Sequence, residues 1–146
     1  MKPEVLKRFG LLAEFSDEDR EALAELLQEC QLADGRSVFR EGAESEGLLL
    51  LEAGRLKLKS KRLGSVVGSL EAYQHLGAAS LFCFGRREVT ALADGPSTIW
   101  LLSRSGLSRL AADAPRAAFR LAEAVAGELA GLSRHALTAA IESELG

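Results

Sequence analysis

At 146 residues and 15.6 kDa the chain is long enough for one domain with a proper core, and its 47% apolar and 27% charged residues are ordinary for a soluble globular protein. A formal net charge of −3 removes any global basic field that would draw DNA, RNA or an anionic membrane, and no apolar run approaches a membrane span. The N-terminus lacks a signal peptide's apolar core. Cys30 and Cys83 form no CxxC pair, so two reduced, partly buried thiols in the cytoplasm are expected.

Val5, Leu6, Phe9, Leu11, Leu12 and Phe15 predict a short helix that breaks at Gly10 and lays apolar side chains on the body of the fold. Ser16 reads as an N-cap, with Asp17, Glu18 and Asp19 at the favourable end of the helix dipole. That helix is predicted to run through Leu23, Leu26 and Leu27 to about Cys30. Turn and strand signals then alternate. Asp34-Gly35 turns into a strand at Ser37–Arg40, Glu41-Gly42 turns again, and residues 43–47 form a surface loop. Leu48 to Leu51 is an apolar run of strand length closed by Ala53-Gly54. Arg55, Lys57, Lys59 and Lys61 alternate with Leu56, Leu58 and Ser60, the period of a strand with one wet face. Without interleaved aromatics this row reads as a solvated face that discourages edge pairing, in preference to a nucleic-acid stripe.

Gly64 turns into a short strand at Val66 and Val67, ended by Gly68, and a loop from Glu71 to His75 delivers the chain to Gly77. Residues 76–91 read Leu-Gly-Ala-Ala-Ser-Leu-Phe-Cys-Phe-Gly-Arg-Arg-Glu-Val-Thr-Ala. Gly77 permits a sharp turn, Ala78, Ala79, Ser80 and Leu81 start a single helical turn, and Glu88 to Ala91 enter the core as a strand. A glycine turn that opens a helical turn leaves backbone N–H groups free, and an arginine returning beside it could hold an anion by two parallel hydrogen bonds. The residues alone fit either a phosphate or carboxylate cradle or an ordinary strand–turn–helix connection.

Asp94-Gly95-Pro96 is a strong turn before a strand at Ser97–Ser103 that carries Ile99, Trp100, Leu101 and Leu102. Ser103 or Ser105 can cap a helix with Leu107 and Leu110. Pro115 suits the first turn of a last helix reaching about Leu145, with Leu121, Val125, Leu129, Leu132 and Ala136 on one stripe. Gly127 and Gly131, four apart with Ala124 near the same side, are either tolerated weak points or the place where another helix approaches closely. The expected fold is mainly β with helical flanks: a β-roll or jelly-roll core of about eight short strands, N-terminal helices and a long C-terminal helix. One domain spans 1–146, divided into helices over 1–30, the roll over 31–103 and helices over 104–146.

This order of elements, with Phe39-Arg40-Glu41-Gly42, Leu50-Leu51-Glu52-Ala53-Gly54-Arg55-Leu56, Leu76-Gly77-Ala78-Ala79-Ser80-Leu81 and Asp113-Ala114-Pro115, resembles the cyclic nucleotide-binding domain family of the CRP/FNR type over nearly the whole chain. The resemblance implies a cassette at Gly77, Ala78, Ala79 and Ser80 whose amides hold a cyclic phosphate, with an arginine beside it. It also implies a last helix, bearing Leu121, Ala124, Val125, Gly127 and Gly131, that lids the ligand or pairs two subunits. Counting forward from Gly77 puts Arg87 at the arginine position, with Arg86 as the fallback. The family's cassette has Gly-Glu where this chain has Gly77-Ala78, so the acceptor for a ribose hydroxyl is missing, and the segment from cassette to strand is shorter by one or two residues.

Two functions are expected from these features. One is a regulatory module binding a cyclic nucleotide, cAMP or cGMP, or a related phosphate. The other is a degenerate domain that has lost nucleotide and serves as an interaction or dimerisation module, a homodimer or a partner protein joining through the C-terminal helix. An enzyme fits poorly. Only His75 and His135 are present as imidazoles, and Gly-x-Ser-x-Gly, P-loop and His-Glu-x-x-His patterns do not occur. No cofactor and no metal are expected. Family transcription factors carry a helix-turn-helix after the lid helix, and with none before Gly146 direct DNA binding is not expected.

Overall fold

The computed structural model describes all residues 1–146. Pro3 opens α1 (Pro3–Leu6), and a 3-10 turn at Gly10–Leu12 follows, so that Leu6, Phe9, Leu11, Leu12 and Phe15 are all buried. Ser16 caps α2 (Asp17–Ala24) through a reciprocal box: Asp19 N–H donates to Ser16 Oγ at 3.1 Å, and Ser16 N–H donates to Asp19 Oδ2 at 3.1 Å. The Arg20 hydrogen bond, then the positive charges of Lys7 and Arg20, hold the Asp17 carboxyl below its ordinary range.

Helix α2 stops at Ala24, six residues short of the expected end, and Cys30 lies in β1 (Gln28–Leu32). The roll therefore begins at Gln28. Leu23, Leu26 and Leu27 do carry helical spacing, but Gln28–Leu32 pairs in register with Leu101–Ser97, and that tertiary ladder outweighs local propensity. The other strands are β2 (Ser37–Phe39), β3 (Gly47–Ala53), β4 (Arg55–Ser60), β5 (Ser65–Glu71), β6 (His75–Leu76), β7 (Thr90–Ala93) and β8 (Ser97–Ser103). Gly68 does not end β5, since it pairs with Leu58 beside a bulge, and the strand continues to Glu71. His75, expected in a loop, pairs as part of β6 with Leu50. Glu88 and Val89 precede β7, which starts at Thr90.

The strands form two antiparallel four-stranded sheets, ordered β1-β8-β3-β6 and β2-β7-β4-β5. The unbroken Leu48–Leu51 run has a simple cause. Leu48 and Leu50 join Leu102 and Trp100 in the core beneath the helices, whereas Leu49 and Leu51 join Ile99, Leu56, Leu70, Ala91 and Ala93 between the sheets. A strand covered on both faces reads as continuous leucine. The second sheet is wet outside. Arg55 pairs with Glu71 at 3.0 Å and Lys57 with Asp94 at 3.6 Å, as a solvated face would.

Ser103 caps α3 (Arg104–Asp113) by accepting from Gly106 N–H at 3.0 Å, and Pro115 opens α4 (Pro115–Leu145). At 1.5 Å per residue α4 is about 46 Å long. Ala117, Leu121 and Val125 pack into the core, but beyond Val125 only Gly131 is even partly covered. Leu129, Leu132 and Ala136, expected to share one stripe with Leu121 and Val125, stand in solvent. No helix is long and apolar enough to cross a membrane.

Replacing fully buried Leu50 by alanine leaves a cavity in the helix-side core and is expected to remove about 2–5 kcal/mol from unfolding, read by urea titration at unchanged slope. Leu137→Ala, on the exposed part of α4, is expected to stay within about 0.5 kcal/mol in the monomer.

Candidate functional site

Gly77 sits at φ +79°, a left-handed conformation that ends β6 and opens the 3-10 turn Ala78–Leu81. A methyl group there would lie 2.4 Å from Arg87 Nη1 and 2.8 Å from the Gly47 carbonyl oxygen, so only glycine admits this approach. Ser80 N–H donates back to Gly77 O at 3.0 Å, and the amides of Ala78 and Ala79, ahead of that bond, have no acceptor inside the turn. The Ser80 hydroxyl lies 2.9 Å from Gly47 O and 2.6 Å from Gly77 O, so its proton is engaged within the protein. Ala78 and Leu81 are buried among the core residues that also include Leu110, Leu121 and Val125. The Ala78 methyl thus belongs to the core and is absent from the cavity wall described below.

The returning segment is stitched to the loop after β2. Gly42 N–H donates to Arg87 O at 2.8 Å, Arg87 N–H to Ala43 O at 2.8 Å, and Ser45 N–H to Gly85 O at 3.0 Å. This short antiparallel pairing sends adjacent side chains opposite ways. Arg86 points out, is exposed, and donates to Gly42 O at 3.1 Å. Arg87 points in. Its residue surface is 9% exposed, its guanidinium carbon stands 4.2 Å from the Phe39 ring centroid, and Nη2 reaches Gly47 O at a long 3.4 Å. Its Nε is buried without an acceptor. Burial pushes the guanidinium pKa down, while Glu88 and Glu46 oppose that shift. An arginine remains charged in any case.

Arg87 stands between two cavities. One, of about 240 Å³, is walled by Phe39, Leu76, Gly77, Ala79, Ser80, Arg87 and Val89, with Phe84, Arg86 and Glu88 at its rim. The other, of about 340 Å³, lies on the far side of Phe39 and Arg87, between β3, β8 and the acidic Glu44 and Glu46. Of the expected residues, Gly77, Ala79, Ser80, Arg86 and Arg87 line the first cavity together. Ala78, buried in the helix-side core, is not among its lining residues, and Leu121, Ala124, Val125, Gly127 and Gly131 lie on α4 outside it. Neither Gly127 nor Gly131 has an atom within 4 Å of where a methyl group would sit.

Two ties between this site and the helices were not foreseen. Arg104, the first residue of α3, donates from Nε to Ser80 O at 2.7 Å and from Nη2 to Cys83 O at 3.2 Å and Ser45 O at 3.3 Å, with its guanidinium over the Phe84 ring at 3.9 Å. A cation in the first turn of a helix opposes the helix dipole, and that oddity was the available clue. His75 Nε2 lies 2.7 Å from Glu128 Oε1, joining β6 to α4 just past its last buried residue. Cys83 is exposed, contrary to expectation, because Phe82–Gly85 loops away from the roll, and its Sγ contacts Phe84 O at 3.6 Å.

The sequence profile of the cyclic nucleotide-binding domain matches residues 29–114, more than half of the chain. The fold is similar to the N-terminal domain of a transcriptional regulator from Streptomyces coelicolor A3(2), at 28% identity and TM-score 0.80, covering 90% of this chain and 94% of that one. It is also similar to a cyclic nucleotide-binding-like protein from Brucella abortus bv. 1 str. 9-941, at 26% identity and TM-score 0.66, covering 76% of this chain and 97% of that one. A cyclic nucleotide-binding domain from Methylobacillus flagellatus KT shares the fold at 21% identity and TM-score 0.77, over 98% of this chain and 82% of the other. The two sheets, the glycine-led turn with its buried arginine and the profile match agree: the chain belongs to the cyclic nucleotide-binding domain family.

Proposed function

We propose that the chain is a non-enzymatic regulatory module whose 240 Å³ cavity takes the anionic group of a cyclic nucleotide or related phosphate, with Gly77, Ala78, Ala79 and Ser80 presenting backbone and Arg87 neutralising the charge. One observation carries this reading. Arg87 is a guanidinium removed from water, with Nε unpaired and a single long hydrogen bond to the protein. An anion at this point would relieve the desolvation and complete the donor fork. A solvated arginine pair would leave both residues in water, and only Arg86 is.

Transmission follows from the same contacts. Ala78 and Leu81 lean on Leu110, Leu121 and Val125, and Arg104 grips the carbonyls of Ser80 and Cys83. A ligand that draws the cassette toward Arg87 therefore shifts α3, and with it α4. By calorimetry, cAMP or cGMP is expected to bind the natural chain roughly tenfold to 100-fold more tightly than Arg87→Ala, the worth of a charged hydrogen bond. No heat from either nucleotide at millimolar concentration, or equal heats from both proteins, contradicts the reading.

A second reading, a dimerisation module, rests on α4. Past Val125 it carries Leu129, Leu132, Leu137, Ile141 and Leu145, each at least 46% exposed, on a segment that touches nothing else in the chain's core. A helix with that much exposed apolar surface gains by pairing. Sedimentation is expected to give a dimer at high micromolar concentration, and Leu129→Glu with Leu132→Glu is expected to give a monomer. A natural chain that sediments as a monomer there rules this reading out.

A further inference from the structure

The alternating cations of β4 divide into two groups. Arg55 and Lys57 are answered by Glu71 and Asp94. Lys59, and Lys61 just past the strand, are exposed and form no salt bridge. They have no sheet edge to protect either, because β4 lies between β7 and β5.

The roll brings further cations to them. Lys61 shares one open groove, walled by Thr90 and Leu92, with Arg36 and Arg40 from the two ends of β2. Lys59 and Lys61 line a second with Val66 and Thr90. Arg62 follows in the turn to β5. Arg36, Arg40 and Arg62 are exposed and form no salt bridge, and neither groove has a carboxylate in its wall. Glu41 approaches from the side, its Oε1 accepting from the Lys61 backbone N–H at 3.3 Å. Five cations and this one carboxylate make the corner +4 in a chain whose formal charge is −3. The rest of the chain therefore carries −7, and that asymmetry turns the corner toward an anionic partner.

The same corner is apolar at its tip. Leu63, Val66 and Val67 are 70%, 50% and 47% exposed. Such side chains find no partner on the phosphate backbone of a nucleic acid, whereas beneath anionic headgroups they enter the acyl boundary.

We propose that the β4–β5 turn and the adjoining outer face of the second sheet form a peripheral docking surface for an anionic lipid bilayer. The cations meet the headgroups, and Leu63 with its valine neighbours enters below them. None of the five cations lines either cavity beside Arg87, so the proposal stands apart from the ligand-binding reading.

Co-sedimentation of the full chain tests this with vesicles of phosphatidylcholine alone and of phosphatidylcholine mixed with phosphatidylserine, at low and high salt. The mixed vesicles are expected to bind the chain at least about tenfold more tightly than phosphatidylcholine, and less tightly as salt rises. Each cation near an anionic surface contributes about fivefold, so Lys59→Gln with Lys61→Gln is expected to weaken binding about 25-fold. Leu63→Ser is expected to weaken it about fivefold. Arg116→Gln with Arg134→Gln, the same change of charge at exposed positions on α4, is expected to stay within about twofold. No binding to the mixed vesicles, equal binding to phosphatidylcholine alone, equal losses in the two double variants, or Leu63→Ser without effect overturns the proposal. A short DNA duplex bound more tightly than the mixed vesicles overturns it in favour of a nucleic acid.

Discussion

A charged guanidinium held out of water is the constraint around which this fold is arranged. Arg87 is pinned by its own backbone to Gly42 and Ala43, and its side chain is directed between the start of β3 and the turn after β6. Room for it exists only because Gly77 has no side chain, and β3 can start against β8 at this point only because Gly47 has none. A methyl at Gly47 would fall 2.1 Å from Leu102 O, and one at Gly77 would strike the guanidinium itself. The Phe39 ring below it and the distant Gly47 carbonyl are weak substitutes for water. Such an arrangement costs stability unless an anion completes it, and strained or unsatisfied groups of this kind gather at binding sites.

The same turn that faces Arg87 on one side faces the helices on the other. Ala78 and Leu81 sit in the core that contains Leu110, Ala117, Leu121 and Val125, so the cassette cannot move without a response from α3 and α4. Arg104 adds polar ties to the far end of the turn, and His75 with Glu128 adds one at its near end. Past that last tie α4 leaves the body, which gives a small displacement at Val125 a long lever to act through.

Much of this was legible in the residues. The leucine run at 48–51, the alternating cations of β4 and the glycine turns place the strands, and the count from Gly77 to Arg87 places the arginine. What escaped depended on contacts between distant segments. Leu23, Leu26 and Leu27 carry the spacing of a helix up to the edge of β1, and Gln28–Leu32 becomes a strand only by pairing with β8. Arg104 meets the cassette across more than twenty residues of chain, with only its awkward position at a helix start as a local sign. The stripe on α4 is continuous, and nothing in its period marks Val125 as the point where the protein body ends. The side-chain direction of Ala78, into the core, follows from the cassette's packing and not from its residue type.

The central claim is that Arg87 is kept for an anion and not for the fold. The most direct test is the stability of ligand-free Arg87→Met by urea titration, since methionine keeps the backbone bonds and approximate volume while removing the charge. The account predicts a gain of about 1 kcal/mol or more, as when a buried charge gives way to an apolar side chain of similar size. A loss of more than about 1 kcal/mol contradicts it, because the guanidinium would then be holding Phe39 and Gly47 together as a structural tie.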